Sequence, residues 1–163
     1  MIINSQAFDL SNNTALTWLN CGLNQITNLN ISNNTALTYL SCGTNQLTSL
    51  DVSNNTALTD FRCDGNQLTS LDLRNGNNIA LDTNFTCITN SNLYCISVDD
   101  PIWSTNNWIN IDSQHYFSYD CYYGCTDPLA LNYDTLATID DGSCCNDCGQ
   151  IQGFVYEDLD TNA

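Results

Sequence analysis

The chain has 163 residues, with 18 acidic side chains against two arginines, no lysine and one histidine, for a net charge of −16. Apolar residues make up 42%, too many for a disordered acidic tail, and 25 asparagines and 18 threonines fill the places that charged residues usually take. Nucleic acid and anionic membranes are excluded as partners for want of cations to meet phosphate, and no run approaches the roughly 20 apolar residues of a membrane span.

Reading from the N-terminus, the first feature is a period. Cys21, Cys42 and Cys63 recur every 21 residues inside three aligned units, LTWLNCGLNQITNLNISNNTA (16–36), LTYLSCGTNQLTSLDVSNNTA (37–57) and LTDFRCDGNQLTSLDLRNGNN (58–78). Residues 8–15, FDLSNNTA, match the tail of a further unit, so the chain is read as opening inside a repeat, with Met1 internal to a longer protein. Met1 is not followed by a basic and then an apolar stretch of the secretory kind, and such a signal is expected upstream.

Each unit begins L-x-x-L-x-C-x-x-N-x-[LI], the leucine-rich repeat pattern with cysteine at an inward leucine position. Leu19, Leu40 and Phe61 are predicted to point inward from a short parallel strand, together with the three cysteines. Asn24, Asn45 and Asn66 then turn the corner, where a stacked amide can satisfy backbone groups that the bend leaves unpaired. The second half, Leu29–Ile31, Leu50–Val52 and Leu71–Leu73, predicts a second extended stretch on the opposite wall. A turn of 21 residues leaves no room for a long helix. Over 8–78 the pattern resembles the cysteine-ladder leucine-rich repeats of the internalin J type, found in secreted and surface proteins. The ladder thiols are read as buried, unreactive small hydrophobes, because rungs about 4.8 Å apart with parallel side-chain vectors do not suit a disulfide.

Past residue 78 the period slips. FTCITN (85–90) still reads as a rung, with Cys87 arriving 24 residues after Cys63, and Leu93–Val98 reads as the last strand. The aromatic-rich stretch that follows resembles the C-terminal cap of such repeats, which a solenoid needs to cover its last apolar cross-section. That resemblance implies a Cys95–Cys121 disulfide. Trp103, Trp108, Tyr116, Phe117 and Tyr119 are read as cap core in preference to a sugar-stacking platform. His115, the one histidine, is read as a surface side chain.

Residues 124–144, GCTDPLALNYDTLATIDDGSC, resemble a short cysteine-bracketed module that recurs in large secreted bacterial proteins. A Cys125–Cys144 bridge would close it. Asp127, Asn132, Asp134, Asp140 and Asp141 lie inside with no cation among them, so the loop is read either as a calcium site or as a solvated acidic turn. Cys145–Cys148 is read as a small local disulfide, zinc or redox chemistry lacking the further ligands or the fold it needs. The final stretch, 149–163, resembles the first strand of a staphylococcal-type B-repeat sandwich, with Asp158, Asp160 and Asn162 on its acidic run.

The expected architecture is thus mainly β: a solenoid over 1–91 with an incomplete first repeat, a cap over 92–123, an acidic disulfide module over 124–148 and a truncated strand over 149–163. Cysteine usage points outside the cytosol, to an extracellular or surface protein. No nucleophile–base pair or metal-ligand cluster marks an enzyme. The function expected is a non-enzymatic protein- or glycan-binding fragment, monomeric, of an adhesin-like protein. The alternative is an accessory stretch of a secreted enzyme whose catalytic domain lies elsewhere. The partner is expected on the outward columns of the main strand, Trp18–Tyr39–Asp60 and Asn20–Ser41–Arg62.

Overall fold

The computed structural model describes residues 7–140 and 142–146. They divide into two units, Met1–Cys121 and Tyr122–Ala163.

In the first unit the chain winds as a solenoid whose rungs alternate between two walls. One wall is a four-stranded parallel sheet of β2 (Trp18–Asn20), β4 (Tyr39–Ser41), β6 (Asp60–Arg62) and β8 (Phe85–Thr86). The other holds β1 (Ala7–Asp9) paired with β3 (Asn28–Asn30), and a sheet of β5 (Ser49–Asp51), β7 (Ser70–Asp72), β9 (Cys95–Ser97) and β10 (Tyr116–Ser118). The strands are short because in β2 to β7 each straight segment holds one inward residue between two outward ones, as in Trp18–Leu19–Asn20. Register follows from the repeat: Leu19, Leu40, Phe61 and Phe85 lie opposite one another, and all four are buried.

After each main strand comes a buried cysteine and then a residue in the left-handed region, Leu23, Thr44, Gly65 or Thr89, which bends the chain into its corner. The asparagine one place further on closes that corner. Asn45 Oδ1 accepts from Ile26 N at 3.0 Å on the previous rung, while its Nδ2 donates to the carbonyls of Cys21 (3.0 Å) and Cys42 (2.9 Å). Asn66 and Asn90 repeat the arrangement one rung later each. Asn34 and Asn55 form a second buried ladder, donating to the carbonyls of Leu10 and Asn13, and of Ile31 and Asn34. The slip in the period is absorbed in the bend after β7, where α1 (Asn78–Leu81) and a 3₁₀ turn (Asp82–Asn84) lengthen the path and return Phe85 to register.

The cap ends the solenoid by imitating the next rung. Cys87 N donates to Asn110 O at 2.9 Å, as Cys63 N donates to Thr86 O. Thr89 N and Asn90 N donate to the two carboxylate oxygens of Asp112 at 2.9 and 2.8 Å, where earlier rungs use backbone carbonyls. On the opposite corner Asp99 accepts from Gly76 N in the same way. Asp100 caps α2 (Pro101–Asn107) through Ile102 N and Trp103 N, and a Cys95–Cys121 disulfide ties the ends of the cap together.

Three expectations change here. The last strand of the solenoid is β10, not the segment ending at Val98, because β9 leaves an open edge that the cap fills with a strand of its own. Trp108 is buried against Phe85 and Phe117, with ring centroids 4.5 and 5.5 Å apart, but Tyr116 and Tyr119 stay exposed. His115 is buried, not on the surface: its Nε2 lies 3.5 Å from Asn90 O and 3.7 Å from Asp112.

The second unit is a disulfide-closed loop. β11 (Tyr123–Gly124) pairs in parallel with β12 (Ile139–Asp140), and Cys125–Cys144 closes the ring. The two tyrosines before Gly124, expected at the end of the cap, belong to this unit. The Cys145–Cys148 pairing, Asp141 and the strand expected over 149–163 lie outside the described residues.

Candidate binding face

The outward columns predicted from the repeat come together on the β2–β4–β6–β8 sheet. Parallel register sets Trp18 opposite Tyr39, Tyr39 opposite Asp60, and Asn20, Ser41, Arg62 and Thr86 in a second row. Their contacts are more specific than the register requires. The Trp18 and Tyr39 rings stack with centroids 5.0 Å apart and planes 11° from parallel, a contact worth about 0.5–1.5 kcal/mol beyond its burial. Arg62 reaches back to hold its guanidinium carbon 5.7 Å from the Tyr39 ring centre, and it pairs with Asp60 through Nε at 3.1 Å and Nη2 at 3.2 Å. The Asp60 carboxylate raises the Arg62 guanidinium further above its ordinary value. Trp18 is 56% exposed, Asn20 and Arg62 are exposed, and Tyr39, Ser41 and Asp60 are half-buried.

Beside this row the sheet is floored by glycine. A Cβ at Gly22 would stand 3.1 Å from Gly43 O, and one at Gly43 3.0 Å from Asp64 Oδ1, so neither position accepts a side chain without displacement. Leu23, 76% exposed and left-handed, borders that floor. Where the sheet meets the cap, a depression of about 430 Å³ opens between Arg62, Asp64, Asn84, Ile88 and Asn110. Sequence reasoning missed it, because Asn84 and Asn110 come from the irregular bend and the cap, which have no repeat to align. Register alone could have supplied Asp64 and Ile88, one rung apart beside Arg62. A smaller hollow of about 240 Å³ lies on the other wall, between β3 and β5.

The ladder thiols offer no chemistry. Cys21, Cys42, Cys63 and Cys87 are free and buried; burial pushes the Cys21 thiol up to about 11 and those of Cys42 and Cys63 up as well. In the second unit Asp127, Asp134 and Asp140 each accept a backbone N–H two residues on, from Leu129, Leu136 and Gly142. Asn132 bridges Ser143 O and Cys145 N. Among the described residues no three His, Cys, Asp or Glu side chains gather as metal ligands would.

Parallel two-walled rungs, inward leucines, an unbroken line of buried cysteines and corner asparagines define cysteine-ladder leucine-rich repeats. The solved functional domain of InlJ from Listeria monocytogenes, which includes a cysteine ladder, is 38% identical to this chain, covering 56% of this chain and 22% of that one, with a TM-score of 0.41. No family model and no curated protein matches the sequence.

Proposed function

We propose that this chain is part of a non-enzymatic binding module of a secreted or cell-surface protein, and that its partner, a protein or a glycan, docks on the β2–β4–β6–β8 face. The observation that carries the reading is the Trp18–Tyr39 stack. Two large aromatic groups lie on the surface of the solenoid instead of in its core, held rigid by each other and by Arg62. Rigid aromatic and arginine anchors are the residue types that dominate binding energy at interfaces, and stacked rungs supply an extended surface to carry them. The two disulfides support an oxidising, extracellular setting.

The test is retention on panels of immobilised proteins and immobilised glycans. Trp18→Ala and Tyr39→Ala should weaken the retained interaction by about tenfold or more, while Ile102→Ala, an exposed cap residue, leaves it intact. Equal retention of all three variants refutes this face. Calcium in the Cys125–Cys144 loop is a separate proposal that rests on the loop's charge, and melting the protein with calcium and with a chelator decides it. Identical melting returns Asp127, Asp134 and Asp140 to loop capping alone.

A further inference from the structure

The strand face also bears on what kind of partner it takes. Tyr39 lies between Trp18 of the rung before and Arg62 of the rung after, so both faces of its ring are covered. A sugar stacks on an exposed ring face, and among the described residues this row leaves one, on Trp18, at the end of the sheet away from the depression. What the row offers a partner is ring edges, a hydroxyl and a paired guanidinium.

The depression offers something different. Arg62 is in its wall, but that guanidinium is paired with the Asp60 carboxylate and feels Asp64 only through a weaker, longer-range attraction. Asp64, also in the wall, has no cation within ion-pair distance among the described residues. Its carboxylate leans over Gly43, where a side chain would displace it. Ile88, 44% exposed, supplies an apolar flank, and Asn84 and Asn110 supply amides at the rim. An apolar flank beside an unpaired carboxylate suits an aliphatic stem ending in a cation. The volume of about 430 Å³ exceeds one side chain and accommodates its flanking backbone too. The rest of the chain favours the same occupant: at −16 with no lysine, the protein draws cationic partners by its long-range field.

We propose that the partner on this face is a protein, and that it inserts a lysine or arginine side chain into the depression with its ammonium or guanidinium group on Asp64. This rests on the strand face being the binding surface.

The experiment titrates the full ¹⁵N-labelled chain with three probes: a capped Gly-Ser-Lys-Ser-Gly peptide, the same peptide with glutamine in place of lysine, and cellotetraose. The lysine peptide should shift the amides of Thr86, Ile88 and Asn110. Asp64→Asn should weaken it about fivefold, Asp64→Lys should abolish it, and added salt should weaken it further. Asp51→Asn, which removes the same charge from the opposite wall, should leave it unchanged. Equal shifts with the glutamine peptide, equal loss in Asp64→Asn and Asp51→Asn, or no shift with any probe overturns the proposal. Shifts at Trp18 and Tyr39 from the tetrasaccharide overturn it while keeping the face as a binding surface. Shifts confined to the cap or to the second unit overturn both.

Discussion

Replacing Asn66 with alanine tests whether the corner asparagines hold the rungs together. Asn66 makes three buried hydrogen bonds: its Oδ1 accepts from Leu47 N at 3.1 Å, and its Nδ2 donates to Cys42 O at 3.1 Å and Cys63 O at 3.0 Å. The two carbonyls are not left bare by the change, because Asn45 also donates to Cys42 O and Asn90 to Cys63 O. Leu47 N loses its partner inside the protein. One orphaned buried donor costs about 1–3 kcal/mol and each shared bond about 1 kcal/mol, so Asn66→Ala should cost roughly 3–5 kcal/mol, a large part of the usual stability of a domain. Urea unfolding followed by circular dichroism measures this, with Asn33→Ala as the surface control, since Asn33 is exposed and makes one long bond to Ser11 O. The control should stay within about 0.5 kcal/mol. Asn66→Asp keeps the shape but turns the two-way donor into an acceptor facing carbonyls, and it should destabilise at least as much as alanine at neutral pH. A cost for Asn66→Ala no larger than that of the control would refute the corner argument.

Three further outcomes are expected. Gly65→Ala should cost about 1 kcal/mol, because Gly65 has φ +64° while the added Cβ has ordinary room at 3.4 Å from Thr44 Oγ1; Thr44→Gly, at φ 54° on the adjacent rung, should gain about 0.5 kcal/mol, both read by thermal melting. Iodoacetamide at mildly alkaline pH should leave Cys21, Cys42, Cys63 and Cys87 unlabelled in the native protein and label all four in denaturant, because each is buried and none forms a disulfide; native labelling of all four would contradict the closed ladder.

The repeats were legible because one solution recurs. Leucine, cysteine and asparagine each fall at the same place in every unit, so a residue's direction can be read from its position in the period, and the register of the sheet comes with it. The outward placement of Trp18, Tyr39 and Arg62 in two adjacent columns was legible for the same reason, but the lean of Arg62 back over Tyr39 depends on its side-chain torsions, which no period encodes. Beyond the last full unit the signal fades into single residues. Asp112 sits 22 residues after Asn90 and Asp99 sits 23 after Gly76, each about one rung later, and that spacing marks them as stand-ins for the missing rung. His115 carried no such mark, and its burial follows from packing beside Asn90.

That corner also gives the cap a dependence on acid. Burial pushes the Asp112 carboxyl up, but the N–H groups of Thr89 and Asn90 and the nearby His115 hold it, on balance, below its ordinary 3.8. Burial lowers His115 from 6.5, against the opposing pull of Asn90 O and Asp112, and His115 Nδ1 is buried without a partner among the described residues. Because the folded state favours neutral His115, the stability it confers is full above 6.5 and is lost as pH falls toward the lowered folded value. Asp112 contributes in the same direction but lower on the scale: its share is full above 3.8 and is lost only below that. Between about pH 7.5 and about pH 5, therefore, the cap's acid loss comes from His115 and not from Asp112. Melting at those two values should show a fall that His115→Gln removes. Asp112→Ala should lower stability at both values, by about 2–3 kcal/mol for two backbone bonds to a charged acceptor at a partly exposed site. It should also deepen the acid loss, because an imidazolium 3.7 Å away would lose its counter-charge. A fall of the same size in the parent protein and in His115→Gln would refute the assignment to this imidazole.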